Sequence, residues 1–314
     1  MRSLTYTASS VVLLLTLVSS AFATPSNFAN IVSKTETKTK VLGQNVIQLQ
    51  RSPQGIRQAI ANGQDRYAAI WVKSDGPAWQ ARSGLTSAQY QTTFDQLVSQ
   101  GYRLVDVSGY DVNGQDRYAA IWEQSSGPAW QARSGLTSAQ YQATFDQLVG
   151  QGYRLVHVSG YSVNGQDRYA AIWVKSDGPA WQARSGLTSA QYQATFDQLV
   201  GQGYRLVDVS GYDVNGQDRY AAIWEQSSGP AWQARSGLTS AQYQATFDQL
   251  VGQGYRLVHV SGYRVNGEDR YAAIWEQSSG SAWQARHGLT SAEYQATFDQ
   301  LVGQGYRLVN VSGY

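Results

Sequence analysis

The sequence contains no cysteine. Disulfides, thiolate metal ligands and cysteine nucleophiles are therefore excluded. Many small exported domains depend on disulfides, so this chain has to gain its stability from packing alone. With 42% hydrophobic residues it has enough apolar surface to bury a core, and we expect it to fold.

Charged residues are scarce as well. Only 15% of the residues are charged, and the formal net charge is +2. Such a weak field does not hold nucleic acid or an anionic membrane surface. We therefore expect no nucleic-acid partner.

Long hydrophobic runs are missing except near the N-terminus. The apolar run at residues 11–18 is well short of the roughly 20 residues that a membrane-spanning helix requires. Arg2 precedes it, and Ala21-Phe22-Ala23 follows it with the small-x-small pattern of a signal-peptidase site. We predict a signal peptide at residues 1–23, cleavage before Thr24, and a secreted, extracellular protein with no membrane span.

An Asn-Gly pair recurs every 51 residues and marks an internal repeat. Each pair is followed by Gln or Glu, then Asp, then Arg-Tyr-Ala-Ala-Ile-Trp. The pairs begin at Asn62, Asn113, Asn164, Asn215 and Asn266. A fixed period of this length indicates a stacked or ring-shaped repeat protein, here with five units in residues 62–314.

A helix is the clearest element predicted in each unit. In the second unit, Thr137 is a suitable N-cap, and Gln140 three residues later completes a capping box. Gly152 suits the left-handed position that ends a helix. The predicted apolar stripe of this helix consists of Tyr141, Phe145, Leu148 and Val149.

Two β-strands are predicted after the helix. Residues 153–161 and 168–173 are rich in β-branched and aromatic residues, and Asn164-Gly165 lies between them. This pattern favours a β-hairpin with a loop longer than the tightest two-residue turn. The segment before each helix, such as residues 125–135, is rich in Gly, Pro and Ser and is predicted to be a loop. The unit is therefore helix, strand, strand, and the fold class is α+β.

No single unit can cover its own apolar stripe, so neighbouring units are expected to bury each other's faces. The array begins with the second strand of a hairpin, residues 66–71, and ends with the first strand of one, residues 306–314. These ends either pair and close a ring, or remain open edges that need capping. Residues 24–61 form a leader and are the candidate N-terminal cap of an open solenoid. The sequence leaves both arrangements open.

Four segments recur in the five units with few changes. They are Arg-Tyr-Ala-Ala-Ile-Trp, Ala-Trp-Gln-Ala-Arg-Ser-Gly-Leu-Thr, Gln-Tyr-Gln-x-Thr-Phe-Asp-Gln-Leu and Gly-Tyr-Arg-Leu-Val. Together they resemble the bacterial tandem repeat of many secreted proteins, which also forms the N-terminal domain of fungal polyglycine hydrolases. In those hydrolases a β-lactamase-like serine peptidase domain follows the repeats. This sequence contains no Ser-x-x-Lys motif, so the resemblance does not imply peptidase activity.

Histidine offers the candidate metal ligands. The three histidines are His157, His259 and His287. The first two occupy equivalent strand positions, where the other units have Asp106, Asp208 and Asn310. The ligands of one zinc ion must converge within about 2.0 to 2.2 Å, and equivalent positions on successive units are expected to lie far apart. We predict a tolerant surface position, no metal site and no cofactor.

Catalytic sets are missing from the repeat. No unit combines a Ser, His and Asp set, and the first and third units have no histidine at all. Paired carboxylates are equally scarce. We therefore predict that the protein is not an enzyme.

Tryptophan occurs twice in every unit. One tryptophan follows Ala-Ala-Ile in a predicted strand and is expected in the core. The other lies in the predicted loop, three residues before an arginine, so that an aromatic face and a guanidinium can be presented together. These candidate ligand-binding residues are Trp79 with Arg82, Trp130 with Arg133, Trp181 with Arg184, Trp232 with Arg235, and Trp283 with Arg286.

The Trp–Arg pairs suggest a function. An indole stacks on the apolar face of a sugar, an arginine hydrogen-bonds its hydroxyls, and five copies provide avidity. We hypothesise a multivalent extracellular binding module for a glycan or cell-surface ligand. Alternatively, Trp and Arg clamp the loop onto the next unit by cation–π stacking, in a structural or adhesive scaffold. A third hypothesis is an accessory repeat domain of a polyglycine hydrolase-like serine peptidase system. The sequence predicts neither the ligand nor the oligomeric state.

Overall fold

Residues 65–314 are described by a computed structural model and contain fifteen strands and five helices. The predicted signal peptide at 1–23 and leader at 24–61 lie outside these residues. The strands are β1 (Arg66–Lys73), β2 (Trp79–Thr86), β3 (Tyr102–Val112), β4 (Gln115–Gln124), β5 (Trp130–Thr137), β6 (Tyr153–Val163), β7 (Gln166–Lys175), β8 (Trp181–Thr188), β9 (Arg205–Val214), β10 (Gln217–Glu225), β11 (Trp232–Thr239), β12 (Arg256–Val265), β13 (Glu268–Glu276), β14 (Trp283–Thr290) and β15 (Tyr306–Gly313). The helices are α1 (Ser87–Ser99), α2 (Ser138–Gly150), α3 (Ser189–Gly201), α4 (Ser240–Gly252) and α5 (Ser291–Gly303).

These elements form five modules, each a three-stranded antiparallel sheet with one helix. Module 1 contains β2, α1, β3 and β4; module 2 contains β5, α2, β6 and β7; module 3 contains β8, α3, β9 and β10; module 4 contains β11, α4, β12 and β13; module 5 contains β14, α5, β15 and β1. The middle strand of each sheet is the Arg-Tyr-Ala-Ala-Ile-Trp segment, whose last five residues are buried. A strand that is covered on both faces is apolar along its whole length, which explains this continuous run.

Module 5 joins the two ends of the described chain. Its middle strand, β1, lies between β14 and β15, so that Tyr67 pairs with both Leu289 and Gly313. Of the two arrangements that the sequence leaves open for these ends, the structure shows residues 66–71 paired with the last strand.

The predicted loop before each helix contains a third strand, and this part of the prediction is wrong. In module 2, β5 begins at Trp130 and pairs with β7, so that Trp130 lies opposite Val174. A bulge follows Arg133, where Gly135 adopts a φ of 67°. The Ser-Gly content of this strand obscured its pattern, because glycine in a strand usually indicates a bulge or a break. Each module is therefore strand, helix, strand, strand.

The hairpin turn also differs from its prediction. β3 ends at Val112 and β4 begins at Gln115, so the loop has only two residues. Asn113 and Gly114 have φ angles of 55° and 76°, which is the type I′ geometry that matches strand twist. The strands extend farther toward the turn than their apolar segments indicated.

The helix prediction is confirmed at both ends. Thr137 and Gln140 form the capping box of α2, and Gly152 has a φ of 82° directly after the C-cap. Within the predicted stripe, Tyr141 and Leu148 are buried. Val149 is 37% exposed, so the apolar stripe is narrower than predicted.

The core consists of clusters shared between consecutive modules. Tyr90 and Trp122 of module 1 pack in one cluster with Tyr161 and Ile172 of module 2. Another cluster joins residues of module 5 to Tyr110 and other residues of module 1. Neighbouring units therefore bury each other's apolar faces, as the sequence predicts.

Candidate functional site

The structure separates the predicted Trp–Arg pairs. Trp130 and Arg133 lie three positions apart on β5, and alternate residues of a strand point to opposite faces. The indole is partly buried, whereas Arg133 is exposed and donates from Nη1 to the carbonyl of Ala132 at 2.7 Å. The same arrangement occurs at Trp79 and Arg82, Trp181 and Arg184, Trp232 and Arg235, and Trp283 and Arg286. The expectation that one loop presents both groups together is wrong.

Each of these tryptophans instead contacts a neighbouring module, which is module 5 for Trp79 and the module before it in the chain for the other four. The centroid of the Trp130 ring lies 5.7 Å from that of Phe94 on α1, and Cζ of Arg103 on β3 lies 5.7 Å from the Trp130 ring. The corresponding contacts join Trp79 to Phe298 and Arg307, Trp181 to Phe145 and Arg154, Trp232 to Phe196 and Arg205, and Trp283 to Phe247 and Arg256. The cation comes from the Gly-Tyr-Arg segment and not from the strand that carries the tryptophan.

Three ion pairs reinforce these junctions. They join Arg154 to Glu225 at 3.0 Å, Arg205 to Glu276 at 3.0 Å, and Arg307 to Glu123 at 2.6 Å. The two equivalent positions that complete the set of five carry Val72 and Val174 in place of glutamate. This difference in sequence therefore changes which junctions carry an ion pair.

A second group of residues, which the sequence placed at the surface, is buried in the structure. Asp106, His157, Asp208, His259 and Asn310, which we call the polar series, were predicted to occupy a tolerant surface position far from one another. Asp106, Asp208 and Asn310 are buried, and both histidine side chains are only 13% exposed. The prediction is wrong because each position packs against the next module, a contact over about 50 residues that no local pattern indicates.

The polar series is connected by short contacts. His157 Nε2 lies 3.5 Å from Asp106 Oδ1, and its Nδ1 lies 3.4 Å from Asp208 Oδ1. His259 Nε2 lies 3.5 Å from the same oxygen of Asp208. Both histidines also place Nε2 at 2.8 Å from a backbone carbonyl of the preceding module, that of Val107 or Val209.

The carboxylates and the amide of the series accept backbone hydrogen bonds. Asp208 Oδ2 accepts from the Val158 amide at 2.7 Å, and Asn310 Oδ1 accepts from the Val260 amide at 3.0 Å. Asp106 Oδ2 accepts from the Val311 amide at 2.8 Å. Every member of the series therefore bonds across a junction between modules.

Burial and charge shift the pKa values of this group in different directions. Burial by itself would lower the pKa of His157, but the carboxylates of Asp208 and Asp106 outweigh it and raise this pKa to about 10. Burial would raise the pKa of Asp208, yet His157 and His259 hold it below its usual range. For Asp106 burial prevails and the pKa is raised. His157 is therefore an imidazolium at neutral pH.

The serines two residues after each member of the polar series form a similar set of contacts with glycines. The Gly160 amide donates to Ser210 Oγ at 2.9 Å, and the ring of Tyr212 covers the same glycine. Equivalent bonds run from Gly109 to Ser159, Gly211 to Ser261, Gly262 to Ser312 and Gly313 to Ser108. Because the serine hydroxyls are used in this way, they serve the junctions between modules.

A cavity of about 440 Å³ is lined by β3, β6, β9, β12 and β15, one strand from each module. Its wall contains the Ser-Gly-Tyr segments together with His157, His259 and Asn310. Within residues 65–314, no three His, Cys, Asp or Glu side chains are grouped so that they could hold a metal ion. In the same part of the chain, neither His157 nor His259 has a hydrogen bond to a serine hydroxyl.

Comparison with known families relates these modules to a described repeat. Six stretches of the chain match the family model for the polyglycine hydrolase-like structural repeat, at residues 58–74, 76–125, 127–176, 178–227, 229–278 and 280–314. The second to fifth matches contain modules 1 to 4, and the first and last contain the two parts of module 5. Among the helices of the described residues, none is long and apolar enough to cross a membrane.

Proposed function

Because this chain belongs to the polyglycine hydrolase-like structural repeat family, we propose that it is a secreted, non-catalytic scaffold whose five modules form a closed ring. The observation that carries this proposal is the position of the five tryptophans that begin β2, β5, β8, β11 and β14. Within residues 65–314, the indoles of these five tryptophans each pack on a phenylalanine of a neighbouring module. Aromatic residues that would bind a ligand are instead engaged in joining modules.

Contacts between the last and first modules support a closed ring over an open solenoid. The Val311 amide donates to Asp106 at 2.8 Å, and the Gly313 amide donates to Ser108 at 3.0 Å. These bonds have the same form as those from Val158 and Gly160 to module 3. A cavity lined by one strand of every module also agrees with five modules around a common axis.

Amide hydrogen exchange of the purified mature protein tests ring closure. In a closed ring the Val311 and Gly313 amides exchange within about tenfold of the Val158 and Gly160 amides, because both pairs have equivalent acceptors. Val158 and Gly160 therefore serve as the internal control. Exchange at Val311 and Gly313 that is about a hundredfold faster or more would overturn the closed ring.

The scaffold role follows from how the core is distributed. Each core cluster draws residues from two modules, so a module cannot move without breaking apolar contacts on both sides. A chain without cysteine thereby obtains a rigid body from packing alone. Such a body can hold attached segments or partners at fixed positions.

The exposed arginines favour a second function, which is multivalent binding of a glycan or cell-surface ligand. Arg82, Arg133, Arg184, Arg235 and Arg286 are exposed at equivalent positions of the five modules. Five copies of a weak polar site provide avidity that a single site lacks. In this hypothesis the arginines contact the ligand, and the tryptophans only support the strand.

A glycan array distinguishes the two functions. The binding hypothesis predicts signals that soluble sugars compete away and that disappear when all five arginines are replaced by glutamine. A matched control replaces the five exposed helix residues Asp95, Asp146, Asp197, Asp248 and Asp299 by asparagine and should keep the signal. Absence of binding by the unmodified protein favours the scaffold alone. Cleavage of a glycine-rich peptide by the purified chain would contradict both non-catalytic hypotheses and favour the peptidase system.

A further inference from the structure

The polar series alternates acidic and basic residues, but it has five members. Asp, His, Asp and His occupy the position in modules 1 to 4, and Asn310 occupies it in module 5. Strict alternation cannot close over an odd number of positions, because two like charges would meet where the fifth module adjoins the first. A neutral amide at that place avoids the conflict, and it still accepts the hydrogen bond from Val260.

The contacts of His157 fit a charged imidazolium. Its Nε2 has the carbonyl of Val107 at 2.8 Å, and its Nδ1 has Asp208 Oδ1 at 3.4 Å. Both ring nitrogens therefore lie near an acceptor, and only the protonated imidazole donates from both. The Val107 amide nitrogen is farther from Nε2 than the Val107 carbonyl is, at 3.4 Å. A buried charge is tolerated when opposite charges and hydrogen bonds surround it.

We propose that the polar series is a pH-dependent lock between modules, in which the imidazolium of His157 holds module 2 to modules 1 and 3, and Asn310 lets module 5 adjoin module 1 without opposing two carboxylates. The role of Asn310 rests on the closed ring proposed above, whereas the role of His157 does not. This lock goes beyond the scaffold function because it makes the cohesion of the scaffold depend on pH.

The titratable groups around the lock determine the pH range in which it is tested. His157 lies beside Asp106 of β3 and Asp208 of β9, and His259 of β12 lies beside Asp208. Tyr141 of α2 interacts electrostatically with Asp208, and Tyr294 of α5 with Asp106. In acid, Asp106 and Asp208 act in opposite directions, because the pKa of one is raised and that of the other is lowered. Above neutral pH, His157 changes the stability in one direction only. The pKa of His157 is about 10 when folded and about 6.5 in an unfolded chain, so its contribution is complete below pH 6.5 and disappears as the pH rises toward 10.

Thermal unfolding as a function of pH tests the proposed role of His157. We expect the unfolding midpoint of the full mature protein to fall between pH 6.5 and 10, and the His157→Asn variant to lose at least half of this fall. Asparagine is the residue that module 5 carries at this position. The control is His287→Ser, which restores the residue of the other four modules and should keep the fall of the midpoint between pH 6.5 and 10. Equal pH dependence in the unmodified protein and His157→Asn would overturn the lock.

An NMR titration of the unmodified protein provides a second readout if His157→Asn does not fold. We expect the assigned His157 imidazole to remain protonated above pH 8. Titration of that imidazole below pH 7 would overturn the proposal, and this test does not depend on ring closure.

Two substitutions test the proposed role of Asn310. Asn310→Asp places a carboxylate next to that of Asp106 and should lower the unfolding midpoint at pH 7. Adding Asp106→Asn returns the series to two acids and two bases, with the neutral residue moved by one module, and should recover at least half of the loss. An unchanged midpoint in the single variant, or no recovery in the double variant, would refute this role even if hydrogen exchange supports a closed ring.

Discussion

The ring of Tyr212 occupies the space beside Gly160, so that a Cβ atom added to the glycine would lie 2.5 Å from Cε1 of the tyrosine. Gly160 belongs to module 2 and Tyr212 to module 3. The glycine is therefore required by the next module and not by its own backbone, which has no positive φ at this position.

Gly160→Ala should destabilise the protein by about 1–3 kcal/mol, the usual cost of overpacking a well-packed core. Urea unfolding monitored by tryptophan fluorescence measures this change. Gly150→Ala is the matched control, because apart from its chain neighbours and the nearby backbone of its own helix no atom lies within 4 Å of a Cβ at that position. Alanine there should be neutral or stabilising by up to about 1 kcal/mol. Equal effects of the two variants would contradict the packing argument.

Trp130→Ala should destabilise the protein by about 2–4 kcal/mol, because it removes a large ring packed on Phe94 and Arg103. A double-mutant cycle with Arg103→Ala should give a coupling energy of about 0.5–1 kcal/mol. The same cycle with Arg133→Ala should give a coupling near zero, since Arg133 lies on the other face of β5. A larger coupling to Arg133 than to Arg103 would restore the Trp–Arg pairing that the sequence suggested.

His287→Ser should make the protein less sensitive to acid. Burial lowers the pKa of His287 below its usual value of 6.5, and the opposing effect of Asp269 is smaller. The unfolded state therefore takes up a proton more readily than the folded state, so stability falls as the pH drops below 6.5. Urea midpoints at pH 7 and pH 5 check this prediction: the decrease should be smaller in the variant, and an equal decrease would contradict it.

Asn164→Ala should cost about 1–2 kcal/mol, because a residue with a Cβ atom and no polar side chain is strained at a φ of 52°. Asn164→Gly should change stability by less than half of that amount, since glycine adopts this conformation freely. Thermal unfolding of the two variants under the same conditions measures this difference in stability. A glycine variant as unstable as the alanine variant would show that the asparagine side chain, and not the backbone, matters at this turn.

Local signals in the sequence were sufficient to predict some secondary-structure elements and not others. The capping box of Thr137 and Gln140 acts within four residues, so the helix could be predicted from its own segment. The strand that begins at Trp130 depends on pairing with β7, which starts 36 residues later at Gln166. Its Ser-Gly bulge resembled a loop, because the partner that makes the segment a strand is not adjacent in sequence.

By itself the sequence determined the 51-residue period, the helix and hairpin in each unit, and the complementary strands at the two ends, because hydrophobic pattern, caps and turn residues act over a few positions. Only the tertiary structure decided that Trp130 stacks with Phe94 and Arg103 and that His157 lies between two aspartates. These contacts join separate modules whose sequences are nearly identical. Repetition shows which residues are equivalent, but the distance between equivalent residues depends on how closely one module packs on the next.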